Sequence, residues 1–112
     1  MTDTIYLDGF EIQDEETREV NLFKDLRRQI DHAKTNSIYY ADSLKDINSI
    51  NITDRKELAK LPILRKNSIV ELQKENQPFG GLLALPIDNL YRIFTSPGPI
   101  YEPQGKRPDY WR

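Results

Sequence analysis

At 112 residues, with no cysteine and a formal net charge of −2, the chain has room for one ordinary domain and excludes both a disulfide framework and a thiolate metal site. Sixteen basic residues set against eighteen acidic ones leave no basic excess to favour nucleic acid as a partner. No apolar run approaches the ~20 residues that span a bilayer, and the acidic opening Met1-Thr2-Asp3-Thr4 is unlike a signal peptide, so a cytoplasmic chain with no membrane partner is expected.

In chain order, residues 1–15 read as an extended arm in which Tyr6, Phe10 and Ile12 offer apolar groups to a later element and Asp8-Gly9 makes a turn. Glu15, Glu16 and Glu19 then place negative charge where a helix N-terminus favours it. Leu22, Phe23, Leu26, Ile30 and Ala33 follow with a period near 3.6, which predicts an amphipathic helix over 16–34. Asn36 suits its C-terminus, and Ser37 caps a second helix over about 37–47 with Tyr40, Leu44 and Ile47 on one side. The buried face of the first helix, Leu22, Phe23, Leu26 and Ile30, is expected to meet Tyr40, Leu44 and the Leu58/Leu61 region. Of the neighbouring rings Tyr39 and Tyr40, about 100° apart on a helix, one belongs to the core and the other to its rim.

Asp54-Arg55-Lys56-Glu57 has the form of a capping box, and the helix it opens is short because Leu61 precedes Pro62. A second such box, Ser68-Ile69-Val70-Glu71, predicts a helix from Ser68 to about Glu75 with Ile69 and Leu72 inward. Pro78-Phe79-Gly80-Gly81 breaks the chain, and the apolar run Leu82–Leu85 stops at Pro86. Leu90 to Thr95 then reads as a strand delivering a turn rich in proline and glycine, Ser96-Pro97-Gly98-Pro99. The chain closes on a new segment, Asp109-Tyr110-Trp111-Arg112. A single strand implies a sheet whose other strands lie elsewhere, and the chain is expected to be the opening of a longer protein.

Chemistry has few places to reside. His32, the lone histidine, sits in the last turn of the first helix, where its charged form suits the dipole. Asp14, Glu15 and Glu16 mark a helix start, since hard-cation loops alternate their ligands around a glycine turn; no metal ligand and no catalytic residue is assigned. The remaining candidate is the turn after the strand. Gly98 permits close approach of a ligand, and the amides of Ser96, Gly98, Ile100, Tyr101 and Glu102 are donors for an anion, whereas Pro97, Pro99 and Pro103 have none to offer.

Several stretches in this order, Leu58-Ala59-Lys60-Leu61-Pro62-Ile63-Leu64-Arg65-Lys66, Pro78-Phe79-Gly80-Gly81-Leu82-Leu83-Ala84 and Arg92-Ile93-Phe94-Thr95-Ser96, resemble the N-terminal part of phenylacetate–CoA ligase-like members of the adenylate-forming superfamily. Glu16-Thr17-Arg18-Glu19 and Asn36-Ser37-Ile38-Tyr39-Tyr40 resemble that family's opening helices. The resemblance implies an α+β fold, mostly helical in this part. It also implies that residues 1–112 form one N-terminal segment of a larger adenylate-forming domain: the arm 1–15, a helical part 16–76, and a strand with a phosphate-type loop over 77–112. Lys66 matches a family lysine. Where the family carries Ser-Ser-Gly-Thr-Thr-Gly-Lys-Pro, this chain has Ser96 to Pro103, and only Ser96, Gly98 and Pro103 match. Ser96 and Gly98 are therefore the candidate phosphate-binding residues.

The complete protein implied is an acid–CoA ligase that forms an acyl-adenylate from a carboxylic acid, possibly an aryl acid, and then a CoA thioester. It would use ATP, Mg2+ and coenzyme A, none of them expected to bind tightly to this chain alone, which would be inactive. Its partners would be the remainder of the same polypeptide or a complementing chain. The alternative is a small non-catalytic helical module for protein interaction.

Overall fold

A computed structural model of the chain describes Ile5 and residues 9–107; the expectations for Tyr6, Asp8 and the segment 109–112 fall outside them. Residues Gly9–Ile12 make a 3-10 turn in which Phe10 and Ile12 stay exposed. Helix α1, Glu15–Asn36, covers the predicted span and one or two residues more at each end. Asp14 caps it, its carboxylate accepting from the Thr17 amide and hydroxyl, both at 2.8 Å. Ser37 ends α1 and starts α2, Ile38–Ser43, by accepting from the Tyr40 amide. Helix α2 is shorter than expected because the chain tightens past Ser43: the amides of Lys45 and Ile47 bond carbonyls only three residues back. That tightening still delivers Leu44 and Ile47 to the core.

Phe23, Ile30, Leu44 and Ile52 form that core, with Leu26, Tyr40, Ile47, Leu58 and Leu61 packed around it. The expected face of α1 is present except for Leu22. Leu22 is 44% exposed, because it stands about 100° round the helix from Phe23, on which the partners converge. Tyr39 and Tyr40 meet edge to face with ring centroids 5.1 Å apart, and it is Tyr40 that joins the core.

Helix α3, Arg55–Leu58, is a single turn capped by Asp54 through the Glu57 amide. A bidentate pair between Arg55 and Glu19 ties it to α1. Helix α4, Lys66–Glu75, begins two residues before the predicted capping box, so Ser68 lies inside it and caps nothing. The last breaker upstream is Pro62, and nothing prevents Lys66 and Asn67 from joining the first turn, whose Ile69 amide bonds the Arg65 carbonyl.

Strand β1, Leu90–Ser96, appears as predicted, but it does not open into a long loop. Ile100–Gly105 is a second strand, β2, paired antiparallel with β1 in the register Phe94↔Glu102 and Ser96↔Ile100. The architecture is α+β: a helical core, with a hairpin attached chiefly through α4. Among the described residues no helix is long and apolar enough to cross a membrane.

Candidate functional site

Pro97, Gly98 and Pro99 close the hairpin between Ser96 and Ile100. Gly98 has φ +154°, a conformation that side chains disfavour, and a Cβ there would lie 3.2 Å from both Val70 Cγ2 and Ile100 Cγ1. Glycine is therefore required by backbone and packing, whatever the turn binds. Ile100 is buried beneath it, and Ser96 is half-buried at the end of β1.

The five candidate amides are not gathered into one concavity. Gln73 of α4, only 4% exposed, accepts from the Tyr101 amide at 2.9 Å and donates to the Tyr101 carbonyl at 3.0 Å. Tyr101 thus turns its polar backbone groups toward α4, and the alternation of an antiparallel ladder turns those of Ile100 and Glu102 toward β1, where Ile100 faces Ser96. Of the five, the Gly98 amide is left, at the exposed tip of the hairpin. Pro103 shares the parity of Tyr101, so its missing N–H interrupts no bond to β1. The β-forming residues Ile100 and Tyr101, standing where the resembling family has Thr and Gly, let a strand begin here instead of a loop.

Glycine also matters at the preceding break. Gly80 has φ +65°, and a Cβ there would come within 2.8 Å of Leu72. The neighbouring Gly81 carbonyl accepts from the buried Ser37 hydroxyl and from the Tyr39 amide, each at 2.9 Å. The Phe79-Gly80-Gly81 stretch therefore bridges the α1–α2 junction and α4, which sets where the hairpin's support stands.

The sequence reading missed Gln73, because a glutamine on a helix carries no signal of the strand edge it will meet. It also missed Arg92, whose guanidinium sits 4.7 Å from the Phe94 ring centroid and donates to Gln104 across the ladder. Lys66 is exposed at the start of α4. Asn36 donates to the His32 carbonyl at 2.9 Å, as expected of a helix terminus. His32 also lines an open depression with Arg28, Arg107 and Leu85. Among the described residues no three His, Cys, Asp or Glu side chains stand together as a metal site.

The fold is shared with a CoA ligase. Crystal structures of 2-hydroxyisobutyryl-CoA ligase in the postadenylation state match this chain. The complex with R3-HIB-AMP does so with a TM-score of 0.77 at 15% identity, over 95% of this chain and 25% of that one. The complex with 2-HIB-AMP gives 0.75 at 15% identity, over 84% and 21%. This chain spans a quarter or less of the ligase's length. In the wider match about six residues of this chain are left over, fewer than the hairpin contains, so most of the hairpin lies within it. No protein-family model matches the sequence, and no curated protein does.

Proposed function

We propose that this chain is a structural portion of an adenylate-forming acid–CoA ligase, similar to the phenylacetate–CoA ligase-like enzymes. The observation that carries the reading is the match to the ligase fold over 95% of the chain with a TM-score of 0.77, beside the sequence stretches that resemble that family in order. In the complete enzyme the carboxylate of the acid attacks the α-phosphorus of ATP and pyrophosphate leaves. The coenzyme A thiol then displaces AMP from the acyl-adenylate, losing its proton, to give the thioester. From this chain the Ser96 hydroxyl and the Gly98 amide are the groups proposed to touch the phosphates. Mg2+ and the chemistry at the carboxylate would be served by residues outside the described ones.

The test is to isolate the chain from its host in the assembly where it occurs. That assembly is assayed for AMP, pyrophosphate and acyl-CoA formation with a panel of 2-hydroxy and aryl acids. Acid-dependent AMP release by the assembly, absent from the 112-residue chain alone, is expected. Ser96→Ala in the assembly should raise KM for ATP about tenfold, the loss of one hydrogen bond to a charged group, with the melting temperature unchanged. An assembly that releases no AMP with any acid would remove the ligase reading.

A further inference from the structure

Asp25, Arg28, Gln29 and His32 stand at i, i+3, i+4 and i+7 on α1 and so share one face of the helix. Leu85 and Arg107 come to that face from the base of the hairpin. The Leu85 side chain rests on the end of β2, its Cδ1 3.0 Å from where a Cβ on Gly105 would lie, and Lys106 donates to the Asp88 carbonyl at 3.2 Å, which keeps the chain leaving β2 beside the 85–88 stretch. The six side chains line an open depression of about 590 Å3, within the ~300–1,000 Å3 of small-molecule sites. It lies near the Leu90↔Gly105 pair, at the opposite end of the ladder from the Ser96–Gly98 turn, about 20 Å along β1 at ~3.3 Å per residue.

The depression is rich in donors. Arg107 has no ion pair among the described residues, and the one that Arg28 makes, with Asp25, spans 3.9 Å between side chains that are each 72% exposed, an arrangement that contributes little. The Asn36 side-chain nitrogen bonds both the His32 carbonyl, at 2.9 Å, and Nδ1 of its ring, at 3.1 Å. A carbonyl only accepts, so Asn36 is the donor, Nδ1 accepts, and the ring carries its proton on Nε2. Arg28 and Arg107 against Asp25 leave one net positive charge.

We infer that this depression binds the phosphate group of a small phosphorylated organic molecule, held between Arg28 and Arg107 with the His32 Nε2–H and the Gln29 amide as further donors. A carboxylate is planar, and a single guanidinium fork satisfies it. Arginines from two separate elements suit a phosphoryl group, whose three oxygens take donors from several sides, and whose second charge lets it displace Asp25 from Arg28. Leu85 gives an apolar wall for the carbon skeleton. The inference does not depend on the ligase reading, because neither Ser96 nor Gly98 takes part.

The experiment measures how fast phenylglyoxal modifies each arginine, read by peptide mass spectrometry, in the chain isolated from its host in the assembly where it occurs. Ribose 5-phosphate, inorganic phosphate, ribose and acetate are compared at one ionic strength, with the exposed Arg65 as reference. Ribose 5-phosphate should slow Arg28 and Arg107 together by about fivefold or more, the effect of charge-assisted hydrogen bonds at both, and leave Arg65 unchanged. Arg107→Gln should abolish the protection of Arg28. Asp25→Asn, which removes the competing carboxylate, should lower the half-protecting concentration about threefold. No protection of either arginine, equal protection of Arg65, equal protection by acetate, or protection of Arg28 that survives Arg107→Gln overturns the inference. So do arginines that are unreactive without any ligand, since other polypeptide then covers the depression. Equal protection by inorganic phosphate overturns the organic ester in favour of the free ion.

Discussion

Replacing Gln73 with leucine keeps its helical preference and roughly its volume but deletes both hydrogen bonds to Tyr101, leaving a buried N–H and C=O without partners. Each such group costs about 1–3 kcal/mol, so Gln73→Leu should lower the unfolding free energy by about 2 kcal/mol or more in urea titration. An unchanged midpoint would mean that water takes the amide's place. Two carboxylates bear on acid stability. Hydrogen bonds from Thr17 hold the Asp14 carboxyl below its ordinary value, and Arg55 does the same to Glu19. A lowered folded-state pKa means stabilisation that is complete above the unfolded value of about 4 and is lost as pH falls through the folded one. The melting temperature should therefore drop as the pH is lowered below about 5. Glu19→Gln, which cannot titrate, should make that drop shallower; an identical acid profile would show that the pair with Arg55 contributes nothing. At this scale Asp14 was legible as part of an acidic helix start, though not as the cap itself, whereas Gln73 could not be read, because its partner is a backbone 28 residues away.

Helix α1 offers a direct comparison of neighbouring side chains. Phe23→Ala removes a ring that is 3% exposed and should cost about 3–5 kcal/mol. Leu22→Ala, at 44% exposure, should change stability by no more than about 0.5 kcal/mol. Equal losses in thermal melts would mean that the helix is rotated from the orientation described. The 3.6 period shows that one side of α1 is apolar, but which edge of the stripe is buried depends on where Leu44 and Ile52 arrive, and that is tertiary information. The same limit explains α4, where a locally good cap at Ser68 loses to two further residues with no reason to leave the helix. It explains the hairpin too. Leu90–Thr95 is legible as a strand because it is apolar and bounded by turns, while Ile100–Gly105 contains a proline and a glutamate and reads as loop until Gln73 and β1 hold it. Ser96 and Gly98 were legible as a turn. The absence of a nest around them was not, since it follows from the parity of Tyr101.

The molecule as a whole is drawn out, with principal extents of 56 × 32 × 25 Å and a radius of gyration of 16.7 Å, against about 13 Å for a compact domain of this length. The helical core occupies one part and the hairpin with α4 another. The assay of the assembly tests the ligase reading proposed for a chain of this shape. One feature at the α4 side bears on how copies of the hairpin could join. A hairpin open along both edges is the repeating unit of a filament, since every copy that adds exposes a fresh edge for the next. Here Gln73 already holds the Tyr101 N–H and C=O, so an incoming strand finds that position of β2 taken. The glutamine is thus a stopper on that side of the sheet: it must let go of Tyr101 before another strand can add along β2 there.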